Sequence, residues 1–187
     1  MSSYFEVYAI VEGKTEQIFI EEILAPYLGA REIGIHATQV SKKGQKGGDV
    51  HFSRVKNDLG LHLKQRCNTY VTTFIDYYAT KEWPGFERLS PNFRPAQIAQ
   101  VINDATKKEV ISLFSEQKAD RRFIPFVAVH EFEALLFSDT QILAEQLKID
   151  ESKIAKVISK CGGSPEAINN HPLTAPSKYR VKLCELT

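Results

Sequence analysis

An α/β fold on a mostly parallel sheet is the architecture this 187-residue sequence predicts. Three observations point to it. Short β-prone apolar runs alternate with helical stripes in the order β-α-β-α-β-α-β-α, and strands separated by helical crossovers run parallel with both faces covered. The central runs, 69–75 and 123–129, are close to continuous in apolar residues, as strands buried on both faces require. Acidic residues stand where the runs end, the edge at which open parallel sheets bind ligands. The expected fold has about four strands with helices on both faces and a small helical and loop extension at the C-terminus. The length fits one domain, residues 1–187, with a core at about 4–148 and the extension at about 149–187.

Each element has its own signal. Tyr4 to Val11 is the first strand, stopped by Glu12-Gly13-Lys14. The helix that follows carries Phe19, Ile20, Ile23, Leu24, Tyr27 and Leu28 on one apolar stripe, with Pro26 a flaw near its end. Residues 32–40 form the second strand, in which Ile33, Ile35 and Ala37 alternate with polar or small residues. Residues 41–48 are a glycine and lysine loop, and 51–65 are helical with Val55, Leu59 and Leu63 four apart. Residues 69–75 are the third strand, followed by a long loop holding Trp83-Pro84-Gly85-Phe86. Pro95 opens a helix faced by Ile98, Val101, Ile102 and Ala105. Residues 123–129 are the fourth strand, 131–137 and 141–147 are helical, from Glu151 the pattern weakens, and the tail with Gly162-Gly163-Ser164-Pro165 and Ala175 to Arg180 reads as loops joining short helices.

Composition narrows the functional classes. Lys and Arg number 24 against 23 Asp and Glu, a formal net charge of +1. That excludes a uniformly basic nucleic-acid coat and an acidic tail, while leaving local basic patches open. No apolar stretch reaches the roughly 20 residues of a membrane helix, and Met1 to Glu6 lacks the basic and apolar regions of a secretory signal, so no membrane partner is expected. Cys67, Cys161 and Cys184 are far apart and odd in number, which makes neither a disulfide framework nor a zinc knuckle; a reducing cytoplasm is the expected compartment.

The candidate chemistry lies at the carboxyl ends of the strands. The first strand delivers Glu12, with Glu16 one helical turn on; the third delivers Asp76; the fourth delivers His130, Glu131 and Glu133. Carboxylates gathered on one rim repel one another unless a cation or a shared proton intervenes, and oxygen-only ligation suits Mg²⁺ or Mn²⁺. Taken singly, each acid has a plainer reading: Glu16 as a first-turn dipole partner, Asp76 as a turn cap, His130 as a core histidine bonded to backbone. His130-Glu131-Phe132-Glu133 is no zincin, since that motif needs a second His where Ala134 stands.

These residues also carry a resemblance. Glu12-Gly13-Lys14-Thr15-Glu16 after an apolar strand resembles the E-G-x-T-E opening of Toprim domains, which have a compact Rossmann-like parallel sheet, and especially those of OLD-type nucleases. Further along stand Asp76-Tyr77-Tyr78, Trp83-Pro84-Gly85-Phe86, Phe123-Ile124-Pro125-Phe126 and His130-Glu131-Phe132-Glu133-Ala134-Leu135-Leu136-Phe137. Ser164-Pro165-Glu166-Ala167-Ile168-Asn169 and Ala175-Pro176-Ser177-Lys178 complete the series. In this order, over nearly the whole chain, they resemble a bacterial Toprim-like family known as domain of unknown function 4276. One departure stands out: the D-x-D of a standard Toprim is Asp76-Tyr77-Tyr78 here, so the second Asp is absent.

The resemblance implies a Mg²⁺- or Mn²⁺-dependent nuclease that hydrolyses phosphodiester bonds, in phage defence or DNA maintenance, with DNA favoured over RNA. It implies an ATPase partner as well, because OLD-type Toprim domains sit beside ATPases and this chain has no Walker motif. Glu12 and Asp76 would hold metal; Glu16, Glu131 and Glu133 would complete a second site or supply a general base. His130 joins the catalytic candidates, and Lys178, Arg180 or Lys14 would offset developing negative charge. Lys42, Lys43 and Lys46, set among glycines, are candidate phosphate-backbone contacts together with Lys14 and Arg180. Two alternatives remain: a non-catalytic module binding nucleic acid or a partner, and a phosphotransfer enzyme acting on nucleotides.

Overall fold

The computed structural model describes residues 4–42, 45–46, 50–65, 67–77, 80–161, 163 and 168, with backbone alone at 42, 45, 46, 81 and 132. Two compact units divide the chain, Met1–Val129 and His130–Thr187.

The first unit is built on the parallel sheet. Its strands β1 (Phe5–Val11), β2 (Ile33–Gln39) and β6 (Tyr70–Asp76) are each seven residues long. The fourth row consists of two short strands, β8 (Phe123–Ile124) and β9 (Val127–Ala128). The order is β2-β1-β6-β8, with β9 also on β6, and every pairing is parallel. The fourth strand was expected in one piece; Pro125 divides it, because proline has no N–H to give a ladder. Register survives the break. Val71 pairs with Phe123 and Ile75 with Val127, so no residue is inserted between the two pairings. The buried Thr73 hydroxyl serves in place of the ladder, accepting from Phe126 N–H at 3.0 Å and donating to Phe126 C=O at 2.8 Å.

Both faces are covered. On one, Ala9, Val11 and Ile35 bury against Ile20 of the helical run after β1. On the other, Ile10, Val71 and Ile75 meet Val55, Leu59 and Leu63 of α3 (Phe52–Gln65), together with Ile102 and Val110 of α4 (Pro95–Leu113). Each fully buried Val, Leu or Ile contributes about 1.5–3 kcal/mol. Pro95 occupies the first turn of α4, as expected, and the Gln97 side chain accepts from Arg94 N–H at 2.9 Å.

The helical run after β1 departs from the expected stripe. It begins as α1 (Lys14–Ile18), widens into a π turn over Phe19–Leu24, and resumes as α2 (Ala25–Gly29). Pro26 supplies no N–H and its ring crowds the carbonyl four residues back, so the ladder loosens ahead of it. The wider turn rotates the stripe. Ile20 stays buried, whereas Ile23 and Tyr27 face solvent.

Short pieces frame the carboxyl rim. β3 (Ser41–Lys42) and β4 (Gln45–Lys46) pair antiparallel, so the expected glycine and lysine loop contains a hairpin. β5 (Val50–His51) pairs with β7 (Thr80–Lys81), tying the start of α3 to the segment after Asp76. Trp83 is buried; its indole donates to Thr106 Oγ1 at 2.8 Å and its ring meets Phe52 edge-on. Gly85 sits at φ +91°, and a Cβ there would come within 2.8 Å of Ala105, so the Trp83-Pro84-Gly85-Phe86 motif closes down on α4. After a turn at Ser115–Gln117, α5 (Ala119–Arg122) leads into the last row.

The second unit holds a 3₁₀ turn at Phe132–Ser138, α6 (Thr140–Leu147) and α7 (Glu151–Lys160) around Phe137, Leu143, Ile154 and Ile168. The helical and loop extension expected at the C-terminus opens with a ten-residue helix, in a stretch where the apolar pattern is weak. Its start is the signal that hydrophobic patterning overlooks: the Asp150 carboxylate accepts from Ser152 N–H at 2.8 Å, as Asp139 does from Ile142 N–H at 2.9 Å for α6. No helix among the described residues is long and apolar enough to cross a membrane.

Candidate functional site

Parallel register brings the first two acids together. Val11, the last residue of β1, pairs with Phe74; Glu12 follows Val11, and Asp76 ends β6 two residues past Phe74. With rows about 4.8 Å apart and a rise of about 3.3 Å per residue, their α-carbons lie about 6 Å apart. Oε2 of Glu12 and Oδ1 of Asp76 are both shielded from solvent. Ile75 and Val11 beneath them are fully buried, so each carboxylate is carried by a backbone that the core fixes.

Glu16 has a defined local task. It is buried at the third position of α1, and its Oε2 accepts from Gly13 N–H at 3.0 Å. That is half of a capping box, with glycine at the cap supplying backbone only. The bond fixes the Glu12-Gly13 corner, so Glu16 positions the strand-to-helix turn that presents Glu12. A Cβ on Gly13 would stand 3.4 Å from the same oxygen.

Around this corner the rim is polar. Gln39 ends β2 beside Val11, and its amide donates to Gln17 Oε1 at 2.7 Å; Gln17 donates in turn to Glu21 Oε1 at 2.7 Å. Lys14 is exposed in the first turn, its Nζ 3.5 Å from Gln17 Oε1. The patterning did not single out Gln17 or Gln39. The signal available was their place, one at a strand end and the other one turn into the helix beside it. Asp58 is a second omission: a buried carboxylate in mid-α3 whose Oδ2 accepts from Ser41 N–H at 2.9 Å. Val40 N–H donates to Val11 C=O at 2.9 Å, so the β3–β4 hairpin leaves the sheet directly beside the Glu12 corner. Its backbone carries Lys42 and Lys46 to the same edge as Glu12. Lys43 lies outside the described residues.

His130, Glu131 and Glu133 belong to the second unit. Both ring nitrogens of His130 are shielded from solvent. Glu131 precedes the 3₁₀ turn, its C=O accepting from Ala134 N–H at 2.9 Å, and Glu133 lies in that turn. Lys178 and Arg180 lie outside the described residues. Among the described residues no group of three or more His, Cys, Asp or Glu side chains forms a ready metal cage. Glu12 and Asp76 are thus a two-carboxylate, oxygen-only pair. That is the donor number Mg²⁺ takes from protein when water and substrate phosphate oxygens complete its octahedron.

Comparison with known proteins gives a family. The family model described as Domain of unknown function (DUF4276) matches residues 11–185. No curated protein matches the chain. Two solved structures of the C-terminal region of the Xanthomonas campestris pv. campestris OLD protein, one phased with iodine and one with mercury, are similar over 96% of this chain at 14% identity. They are covered over 78% and 97% of their own lengths, with TM-scores of 0.40 and 0.33. The superpositions are loose, and the fold rests on the strand order and register above. The chain belongs to the DUF4276 family.

Proposed function

We propose that this DUF4276 chain is a Toprim-like, Mg²⁺- or Mn²⁺-dependent nuclease. The observation that carries the reading is the pair Glu12 and Asp76 on adjacent parallel strand ends, with an oxygen of each withdrawn from solvent. Like charges so placed disfavour the free site and favour cation binding, which is how a metal-dependent phosphodiesterase is primed. A bound divalent ion would polarise a non-bridging phosphate oxygen and lower the pKa of a water.

The chain's own part is positional. Glu16 holds the Gly13 N–H and with it the Glu12 corner. Lys14 and the lysines of the β3–β4 hairpin supply salt-sensitive attraction for a phosphodiester backbone along the rim. Glu131, Glu133 and His130 are the remaining candidates for a general base or further ligands, and Lys178 and Arg180 for a charge-stabilising cation. Hydrolysis adds water across one P–O ester bond and leaves one phosphorylated end and one hydroxyl end. We assign a nucleic-acid substrate, DNA before RNA, and an ATPase partner in phage defence or DNA maintenance on the family resemblance.

The test is cleavage of labelled single- and double-stranded DNA and RNA with Mg²⁺, Mn²⁺ or EDTA, the wild type beside Glu12→Gln. Metal-dependent cleavage by the wild type, reduced at least about 100-fold in Glu12→Gln, is expected. Equal cleavage by the variant would remove Glu12 from the site.

A specific observation favours a second reading, a non-catalytic binding module. Tyr78 occupies the place of the second Asp, and Glu16 Oε2 is engaged in the helix cap. Mn²⁺ titration followed by electron paramagnetic resonance separates the readings. A catalytic pair binds Mn²⁺ and loses it in Glu12→Gln, whereas a degenerate site binds none.

A further inference from the structure

Two exposed surfaces of the first unit carry apolar side chains with opposite charges beside them. On the helical run after β1, Ile18, Ile23 and Tyr27 face outward, 46%, 61% and 57% exposed, and the exposed Glu21 and Glu22 lie between Ile18 and Ile23 in the sequence. Arg31 covers one side of the Tyr27 ring, 3.9 Å from its centroid.

The second surface is a groove of about 530 Å³ between α3 and the end of α4, bordered by Lys56, Gly60, Leu61, Lys64, Leu113 and Phe114. Its lining has two lysines and no acid. Gly60 in mid-helix has a reason here: a Cβ would press to 3.0 Å on the Phe114 ring, so glycine lets that ring form the apolar floor. Leu61 and Leu113, 55% and 43% exposed, rise beside it. Lys64 Nζ lies 5.9 Å from the ring centroid.

We propose that this groove receives the Ile18–Tyr27 helix face of a second copy of the chain. Ile18 and Ile23 seat on the Phe114 floor between Leu61 and Leu113, and Glu21 and Glu22 face Lys56 and Lys64. Opposite charges at the edge of an apolar contact steer encounter and fix register, and here each surface finds its complement on the same polypeptide. Because the two surfaces differ, each copy keeps one of each unused after a single pairing. The contact is heterologous and repeats head to tail, closing into a ring or extending as a chain.

Sedimentation velocity of the full chain over a concentration series tests this. The weight-average mass of the wild type is expected to rise above the monomer with concentration and to fall back as salt is raised. Lys56→Glu/Lys64→Glu alone and Glu21→Lys/Glu22→Lys alone are expected to stay monomeric. An equimolar mixture of the two is expected to associate again, because each reversed surface then meets its opposite. A wild type monomeric throughout, variants that associate like the wild type, or a mixture that stays monomeric would each overturn the proposal. If a double reversal lowers the melting temperature, the single changes Lys64→Glu and Glu22→Lys carry the same exchange.

Discussion

The two ends of β6 treat buried charge in opposite ways. At its start, Arg122 is buried and donates to backbone: Nε to Thr69 C=O at 2.9 Å, and Nη1 to Leu63 C=O at 3.0 Å and Gln117 C=O at 2.8 Å. One guanidinium thereby joins the end of α3, the start of β6 and the turn before α5. At its finish, Asp76 lies one row from Glu12, and an oxygen of each carboxylate is shielded from solvent. Low local dielectric strengthens the hydrogen bonds of the buried guanidinium. One end of the strand is therefore tied to its crossovers by a buried cation, and the other carries the acids of the proposed metal site.

The largest expected effect breaks the closed end. Arg122→Met keeps much of the side-chain volume and deserts three carbonyls, two of them in buried bonds. A loss of about 3 kcal/mol is expected in urea unfolding, since each buried polar group left without a bond costs about 1–3 kcal/mol. Arg122→Lys should recover only part of it, because one ammonium does not reproduce the planar fork. If Arg122→Met unfolds at the wild-type midpoint, the contrast between the two ends collapses.

How much of this the sequence reveals differs between the two ends. Strand ends are legible, because an apolar run that stops at Glu12 or Asp76 places the acid at the rim without any tertiary information. Arg122 gave no such signal. Its partners Leu63 and Thr69 are more than fifty residues away in the chain, and an arginine at the end of a short helix reads as solvated. The second strand and the α3 and α4 stripes were legible because one periodicity governs each. The π turn was not, since a helical stripe assumes constant pitch and Pro26 changes it; Ile23 and Tyr27 fall on the apolar stripe at constant pitch and lie in solvent in the fold. Pro125 hides in an apolar run in the same way. Glu16 was legible as a first-turn acid, but its bond to Gly13 N–H depends on the backbone turn itself.

A smaller effect probes the open end. Asp76→Asn keeps the shape of the side chain and removes its negative charge. Its unfolding free energy is expected to fall by no more than about 1 kcal/mol, because the amide keeps the size and most of the hydrogen-bonding capacity of the carboxylate. Cleavage and Mn²⁺ binding should both fall at least about 100-fold. A loss of stability as large as that of Arg122→Met would make Asp76 a structural residue and remove the distinction between the ends.

The smallest effect uses an exposed carboxylate as the reference for both ends. Hydrogen bonds from the Ser152 side chain and backbone hold Asp150 below the usual carboxylate range, with Lys153 and Lys156 adding to the shift. A folded value below the unfolded one means stability that is present above the unfolded value and lost as pH falls through the folded value. Acid should therefore loosen α7, and Asp150→Asn, still a good cap, should remove that pH dependence while leaving the helix in place. Far-UV circular dichroism melts across the acid range compare wild type with Asp150→Asn. Acid sensitivity that is reduced in the variant locates stabilising charge in the cap. Parallel acid curves would mean that Asp150 is not linked to folding.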